Sequence, residues 1–369
     1  MSAGIRLSRR GFGRLALGAF AAAALTTPRT ALADEHDRLV AAAEKEGRLA
    51  LLGPIIEPYR VSLMQFARAY PKIRLDYNGS GASDFQSRIR TERRAGLHLW
   101  DVIVTGVSGA VFTRQLRSGW FDPVRPLIDP AIADDRHWLG GFEAGFVDDA
   151  RQYLYAFQAG YQRNIYVDRA AIPLSELNSL EDLLNPRWRG RIAMFDPRVR
   201  GGGHTVTLII KVLGEDAARH FLREQKPVLT TTQRQITEWA MRGAYPITSG
   251  MSPSEHALWQ DRGVGLSVEP LVLPPDQSPW TPGNGIVGLL NGAPHPNAAK
   301  LFINWLLSRE AQTDWARRGR VNSRRLDVPV GLEASRMTED AFVNGISFNR
   351  EEWAELALRA EALAREVLG

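Results

Sequence analysis

Between residues 48 and 104 the chain alternates extended and helical patterning, and this alternation limits its fold more than any other feature. Residues 48–52 read as a strand. Val61, Met64, Phe66, Ala67 and Tyr70 recur at helical spacing until Pro71 stops the helix. Residues 73–77 are extended again, residues 83–95 are helical with Ser83 placed to cap them, and residues 101–104 form a short apolar strand. A β-α-β-α-β succession predicts an α/β fold, a mostly parallel sheet flanked by helices. A second unit of the same kind follows. Residues 153–157 and 161–167 are extended, 191–195 and 245–248 read as strands, and 205–213 and 236–242 as helices. Residues 271–282 are proline-rich and suit an extended crossover. Residues 284–291 return as a strand. The helix after it places Ala298, Leu301, Phe302, Trp305 and Leu306 on one face, and an amphipathic helix over 350–367 closes the chain. A length of 369 residues calls for two domains.

The first 33 residues stand apart. They hold five arginines and no acidic residue or lysine. Ser8-Arg9-Arg10-Gly11-Phe12 precedes an apolar run over 15–25, and Ala31-Leu32-Ala33 follows. That order predicts a secretory signal cleaved after Ala33, and the paired arginines resemble the twin-arginine type. The run is too short to cross a hydrocarbon layer of about 30 Å. Without this segment, 41 basic residues face 41 acidic ones, so the charge excess a nucleic-acid binder needs disappears. The chain has no cysteine, which excludes disulfides, thiol catalysis and a lipidated cysteine anchor. An exported, unanchored protein needs an outer barrier to retain it, so a periplasmic location is expected.

Several stretches of the remaining chain resemble a known group. They are residues 66–71 (Phe-Ala-Arg-Ala-Tyr-Pro), 92–96 (Glu-Arg-Arg-Ala-Gly), 100–104 (Trp-Asp-Val-Ile-Val), 183–192 and, most specifically, 293–308 with Ala293-Pro294-His295-Pro296-Asn297. In order and spacing the chain resembles the type II periplasmic solute-binding proteins of ABC importers, in the family-1 extracellular group that includes ferric-ion and thiamine binders. The resemblance implies two α/β lobes, residues 34–156 with 283–369 and residues 157–282, joined by extended crossovers near 155–159 and 273–283. It also implies a monomer that closes over a small solute and hands it to an inner-membrane permease, with no cofactor and no catalysis.

In open α/β sheets, ligands bind beyond the carboxyl ends of the strands. That rule selects Pro54 and Glu57 after the first strand, Ser80, Gly81 and Ala82 after the second, and Thr105 and Gly106 after the third. In the second unit it selects Arg200, Gly202, Gly203 and His204, then Ser249 and Met251. Gln158 and Tyr161 join them at the predicted crossover. The loops at 79–83 and 201–203 offer free N–H groups at a helix start, where an anion is favoured, and Arg198, Arg200 and His204 flank the second. A small polar, organic, anionic solute is therefore expected. Ferric iron is the alternative, although the tyrosine pair of the ferric binders has no counterpart at 249–255. An exported hydrolase ranks third, since no nucleophile–base motif is present. The G-x-G-x-x-G run at 283–288 leads into strand-like residues and is rejected as a dinucleotide fingerprint, and the scattered histidines suggest no metal site.

Overall fold

The computed structural model describes residues 28–79, 82–199 and 202–369. Ser80, Gly81, Arg200 and the part of the expected export signal up to residue 27 lie outside the described residues. Helix α1 (Pro28–Glu46) ends at Gly47, whose φ of 67° turns the chain into strand β1 (Arg48–Gly53). Helices α2 (Glu57–Leu63) and α3 (Gln65–Ala69), strand β2 (Arg74–Gly79), helix α4 (Ala82–Arg94) and strand β3 (Val102–Thr105) follow. Strand β1 pairs in parallel with both β2 and β3. Helix α4 starts at Ala82, which puts Ser83 in its first turn and not at the cap. A π-helix over Val111–Leu116 precedes the short strands β4 (Phe121–Asp122) and β5 (Leu154–Ala156).

Strand β6 (Gly160–Tyr161) carries the chain into a second lobe. There lie β7 (Ile165–Asp168), β8 (Ile192–Phe195), α5 (His204–Leu213), α6 (Glu215–Glu224) and β9 (Val228–Thr230). Helix α7 (Gln233–Met241), β10 (Ile247–Ser249), α8 (Pro253–Gln260) and β11 (Val268–Pro270) complete it. The sheet order is β11-β7-β10-β8-β9, with β8, β9 and β10 parallel and β7 and β11 antiparallel. Strand β12 (Trp280–Thr281) returns beside β6 as an antiparallel two-stranded ribbon. Strand β13 (Ile286–Leu290) then enters the first sheet, whose order is β2-β1-β3-β13-β4 with β5 also on β13. Gly283–Gly288 thus leads into a strand, as its rejection as a dinucleotide fingerprint requires. The two sheets are mixed, each with a parallel half extended by antiparallel strands.

Helices α9 (Pro296–Leu306) and α10 (Arg309–Gly319) belong to the first lobe, and the apolar face read on α9 lies in its core. Two stretches that carry the resemblance meet here. Asp101, fully buried, accepts the backbone N–H of Ala50 at 2.7 Å, the N–H of His295 at 2.7 Å and the His295 ring at 2.9 Å. The carboxylate ties β3 and β1 to the start of α9, and each of its bonds is the kind that makes a buried charge tolerable.

The chain then crosses once more. Helix α11 (Glu339–Val343) packs on Trp280 in the ribbon. Ile346 accepts the Trp280 N–H at 2.8 Å, and Ile346 and Phe348 join the second lobe's core. Helix α12 (Ala354–Leu368) lies against α5 and α6, with Ala360, Leu363 and Ala364 buried there. The expectation that all of 283–369 joins the first lobe is therefore corrected at its end. The amphipathic stripe was legible, but its apolar residues serve either lobe equally well, and the partner is chosen by this third crossing. The ribbon itself sits at 160–161 and 280–281, so Tyr155 and Ala156 belong to the first sheet.

Candidate functional site

The carboxyl ends of β3 in the first lobe and of β8 and β9 in the second face a common cleft of about 800 Å³. The first lobe contributes Gln86, Ser87 and Arg90 from α4, the loop Gly106–Ala110 after β3, and Arg114 from the π-helix. The second contributes Gly203, His204 and Thr207 from α5 and Gln233 from α7. Asn284 comes from the return after the ribbon, Phe348 and Asn349 from the third crossing, and Glu361 from α12. Close backbone packing shapes this space. A Cβ on Gly106 would sit 2.7 Å from the Gly283 carbonyl oxygen, and one on Gly109 would sit 2.8 Å from that of Ala354. Asn349 Nδ2 donates to Val107 O at 2.7 Å while its Oδ1 accepts from Thr281 Oγ1 at 3.0 Å. That amide joins the first lobe's cleft loop to the ribbon.

The charges of the cleft are unequal in their ties. The side chains of Arg90 and Arg114 make no ion pair or hydrogen bond among the described residues. By contrast, Arg198, beside the glycine loop, is held by Asp196 through contacts of 2.7–3.2 Å, which also hold the Asp196 carboxyl below the usual carboxylate range. It is spent on the loop and not free for a solute.

His204 opens α5, with its ring near-parallel to Phe348 at 6.1 Å and Gln162 Nε2 2.7 Å from Nδ1. With the amide donating, Nδ1 is the acceptor and the ring proton sits on Nε2. Burial pushes its pKa from 6.5 down to about 4. The ring is therefore neutral at pH 7, placed where helix N–H groups also point. Because the native state resists a proton that the unfolded chain takes up below pH 6.5, stability falls as pH drops from 6.5 towards 4 and levels off below. Allowing for the ring's partial exposure, the loss is about 2 kcal/mol. Thermal melts between pH 7 and 4 should show it in the wild type, and a flatter profile in His204→Gln. Parallel profiles in the two proteins would exclude it.

Of the residues selected from sequence, Gly106, Gly203 and His204 line the cleft, and Thr105 and Gly202 directly precede lining residues. Ala82 begins α4, one turn before Gln86. The others are placed elsewhere. The Pro54 carbonyl accepts from Tyr77 Oη at 2.5 Å, and Glu57 is paired with Arg60 at 2.7 Å, both beside a separate depression lined by Ile55, Arg60 and Tyr77. Gln158 is buried, with Oε1 accepting from Trp315 Nε1 at 2.9 Å, so it braces the crossover. Tyr161 lies in the ribbon under the Arg163 guanidinium at 4.3 Å and faces a void of about 10 Å³. Ser249 Oγ bonds Thr205 Oγ1 at 2.6 Å, and Met251 is only 2% exposed, packed with Tyr166 and Ile236. Ser249 ends β10 with its side chain turned into the second lobe, and Met251, in the loop that follows, turns inward as well.

Sequence reasoning missed Gln86, Arg90, Arg114, Asn349 and Glu361. Arg90 lies two turns beyond the loop at 79–83, and helical spacing from that loop could have found it. Arg114 rides on a π-helix, and Asn349 and Glu361 follow the third crossing; no local pattern marks either feature. Among the described residues, no tyrosine lines the cleft and no three His, Asp or Glu side chains are grouped to hold a metal ion. No described helix is long and apolar enough to cross a membrane.

Comparison with known proteins places this geometry. The family model of the bacterial extracellular solute-binding protein matches residues 129–321. A Haemophilus influenzae protein of uncharacterized function is 33% identical over 136 residues, 36% of this chain and 38% of that one, so the match spans well under two thirds of the relative. Among solved structures, iron-bound HitA from Pseudomonas aeruginosa superposes with a TM-score of 0.64 at 17% identity, over 87% of this chain and 99% of that one. Trichodesmium FutA in complex with iron and citrate gives 0.66 at 18%, over 87% and 99%. The periplasmic binding protein P5PA gives 0.59 at 19%, over 87% and 98%. At these identities the structural likeness establishes the two-lobed fold of periplasmic binding proteins and nothing about the ligand.

Proposed function

Since the chain belongs to the bacterial extracellular solute-binding proteins, we propose that it is the periplasmic capture component of an ABC-type importer for a small, polar, anionic organic solute. The observation that carries this reading is the pair of unpaired arginines, Arg90 and Arg114, facing the N-terminus of α5 with neutral His204 across the cleft between the lobes. A guanidinium presents a planar fork to a carboxylate or phosphate, and the helix start adds N–H donors opposite it. Gln86, Gln233, Asn284 and Asn349 supply donors and acceptors for neutral polar groups, and Glu361 adds one carboxylate. Two lobes on a narrow ribbon close over a solute that touches both, and the closed form is what a membrane permease distinguishes. The protein acts as a monomer, is exported by the twin-arginine route, and releases its solute unchanged.

A thermal-shift screen of organic acids, sugar phosphates and phosphonates tests the reading. An anionic hit should stabilise the protein in a concentration-dependent way. Arg90→Ala should weaken that hit about ten-fold, the scale of one charge-assisted contact. A screen in which cations alone stabilise the protein overturns the assignment, and unchanged affinity in Arg90→Ala removes that arginine from the site. The iron in two of the aligned structures supports a second reading, a ferric carrier. It would need ligands beyond the donor set lining this cleft, and a coloured, chelator-sensitive complex on adding ferric citrate would establish it.

A further inference from the structure

The basic surface of the first lobe does not end at the cleft. Arg90 and Arg114 also line a neighbouring groove of about 470 Å³, together with Arg94 and Arg117. Among the described residues, no carboxylate lines that groove. The arginines of α4 divide by face. Arg88 pairs with Glu92 at 2.9 Å and Arg93 donates to Asn291 O and Trp120 O, whereas the side chains of Arg90 and Arg94, which face the groove, have no partner among the described residues. Four residues apart on a helix, these two like charges are unfavourable neighbours. Arg114 approaches from the opposite wall on the π-helix Val111–Leu116, a backbone form that is rare and concentrated at functional sites. Arg117 is drawn aside towards Glu355, 3.7 Å away.

Resting on the reading of the cleft as an anion site, we infer that the groove is a second anionic subsite, and that the solute is an organic anion carrying two or more separate charged groups. One charged group lies between Arg90, Arg114 and the start of α5. The other lies beyond them, on Arg94 and the outer face of Arg114. Bisphosphates, phosphocarboxylates and di- or tricarboxylates have this chemistry. A solute with a single anionic group leaves Arg94 unengaged.

Calorimetric titration of the full chain decides the matter, with inorganic phosphate compared to tripolyphosphate and fructose 6-phosphate to fructose 1,6-bisphosphate. The more highly charged member of a pair should bind at least ten-fold tighter. Arg94→Ala should abolish that advantage while leaving the affinity of the less charged member unchanged. Arg317→Ala, an exposed arginine away from the cleft, should keep the advantage. Equal affinities within both pairs in the wild type, or an undiminished advantage in Arg94→Ala, overturn the second subsite and leave the cleft assignment standing. Failure of every anion, including those of the wider screen, to bind the wild type overturns both.

Discussion

Replacing Arg324 by alanine is expected to cost about 4 kcal/mol of folding free energy and to lower the melting temperature by roughly 8–16 °C. The side chain is fully buried. Among the described residues, no carboxylate balances its charge. Nη1 donates to Ala156 O at 3.1 Å and Tyr155 Oη at 3.3 Å, while Nη2 donates to Leu139 O at 2.6 Å and Gly141 O at 2.7 Å. The guanidinium carbon lies 4.6 Å from the Phe342 ring and 5.7 Å from those of Trp138 and Tyr155. Carbonyl oxygens and ring faces together solvate the cation. A Cβ on Gly145 would fall 2.0 Å from Nη1, so that glycine is required for the arginine to fit. Truncation leaves three carbonyls and a phenol without their donor, in a cavity of guanidinium size. Arg324→Met fills the cavity but leaves the carbonyls unpaired, so it should recover little. Phe342 is on α11, which leads into the third crossing; the variant should loosen that segment as well as the first lobe. Calorimetric melts of wild type, Arg324→Ala and Arg324→Met check this. A shift under about 2 °C for alanine would mean that ring packing, not carbonyl satisfaction, holds the region.

Arg324 also illustrates what could be read beforehand. The strands β1, β2 and β3 and helix α9 were legible because each carries an apolar pattern strong enough to name both its type and its buried face. The rule for carboxyl ends of strands pointed to Gly106 and to the start of α5, and both line the cleft. It failed at Ser249 and Met251, where the loop is right but its side chains turn into the second lobe. Pro54 and Glu57 are also on a loop of the right kind, but one that borders a different depression. What sequence could not supply was contact between distant segments. Asp101 and His295 are each part of a recognisable stretch, and their hydrogen bonds become visible only when β3 and α9 are brought together. The unpaired state of Arg90 and Arg114 is of the same kind, since it depends on where every acidic residue ends up. A buried arginine such as Arg324 is indistinguishable in sequence from the many arginines that lie on the surface.

Gly202→Ala should reduce solute affinity at least 100-fold, a loss of about 2.7 kcal/mol of binding free energy, and should destabilise the second lobe by about 3 kcal/mol. The reason is steric and lies in backbone alone. A Cβ at this position would fall 1.8 Å from the Asp196 carbonyl oxygen, 2.6 Å from its carbon and 3.2 Å from Pro197 Cα. No flexible side chain can yield there. Asp196 is itself fixed, its N–H donating to Thr230 O at 2.9 Å and its carboxylate accepting from the Arg198 backbone and guanidinium. The loop must therefore move, and Gly203 and His204 move with it, taking the first turn of α5 out of line with Arg90 and Arg114. Gly203→Ala is the control. The nearest atoms to a Cβ there are 3.7 Å away and its φ is −73°, so alanine fits without strain. The two variants differ by one position and by nothing in chemistry, and only the first should lose the ligand-induced shift in melting temperature. If Gly202→Ala kept that shift, or if Gly203→Ala lost it equally, the start of α5 would not be the rigid half of the anion site, and the solute would have to be held by the first lobe alone.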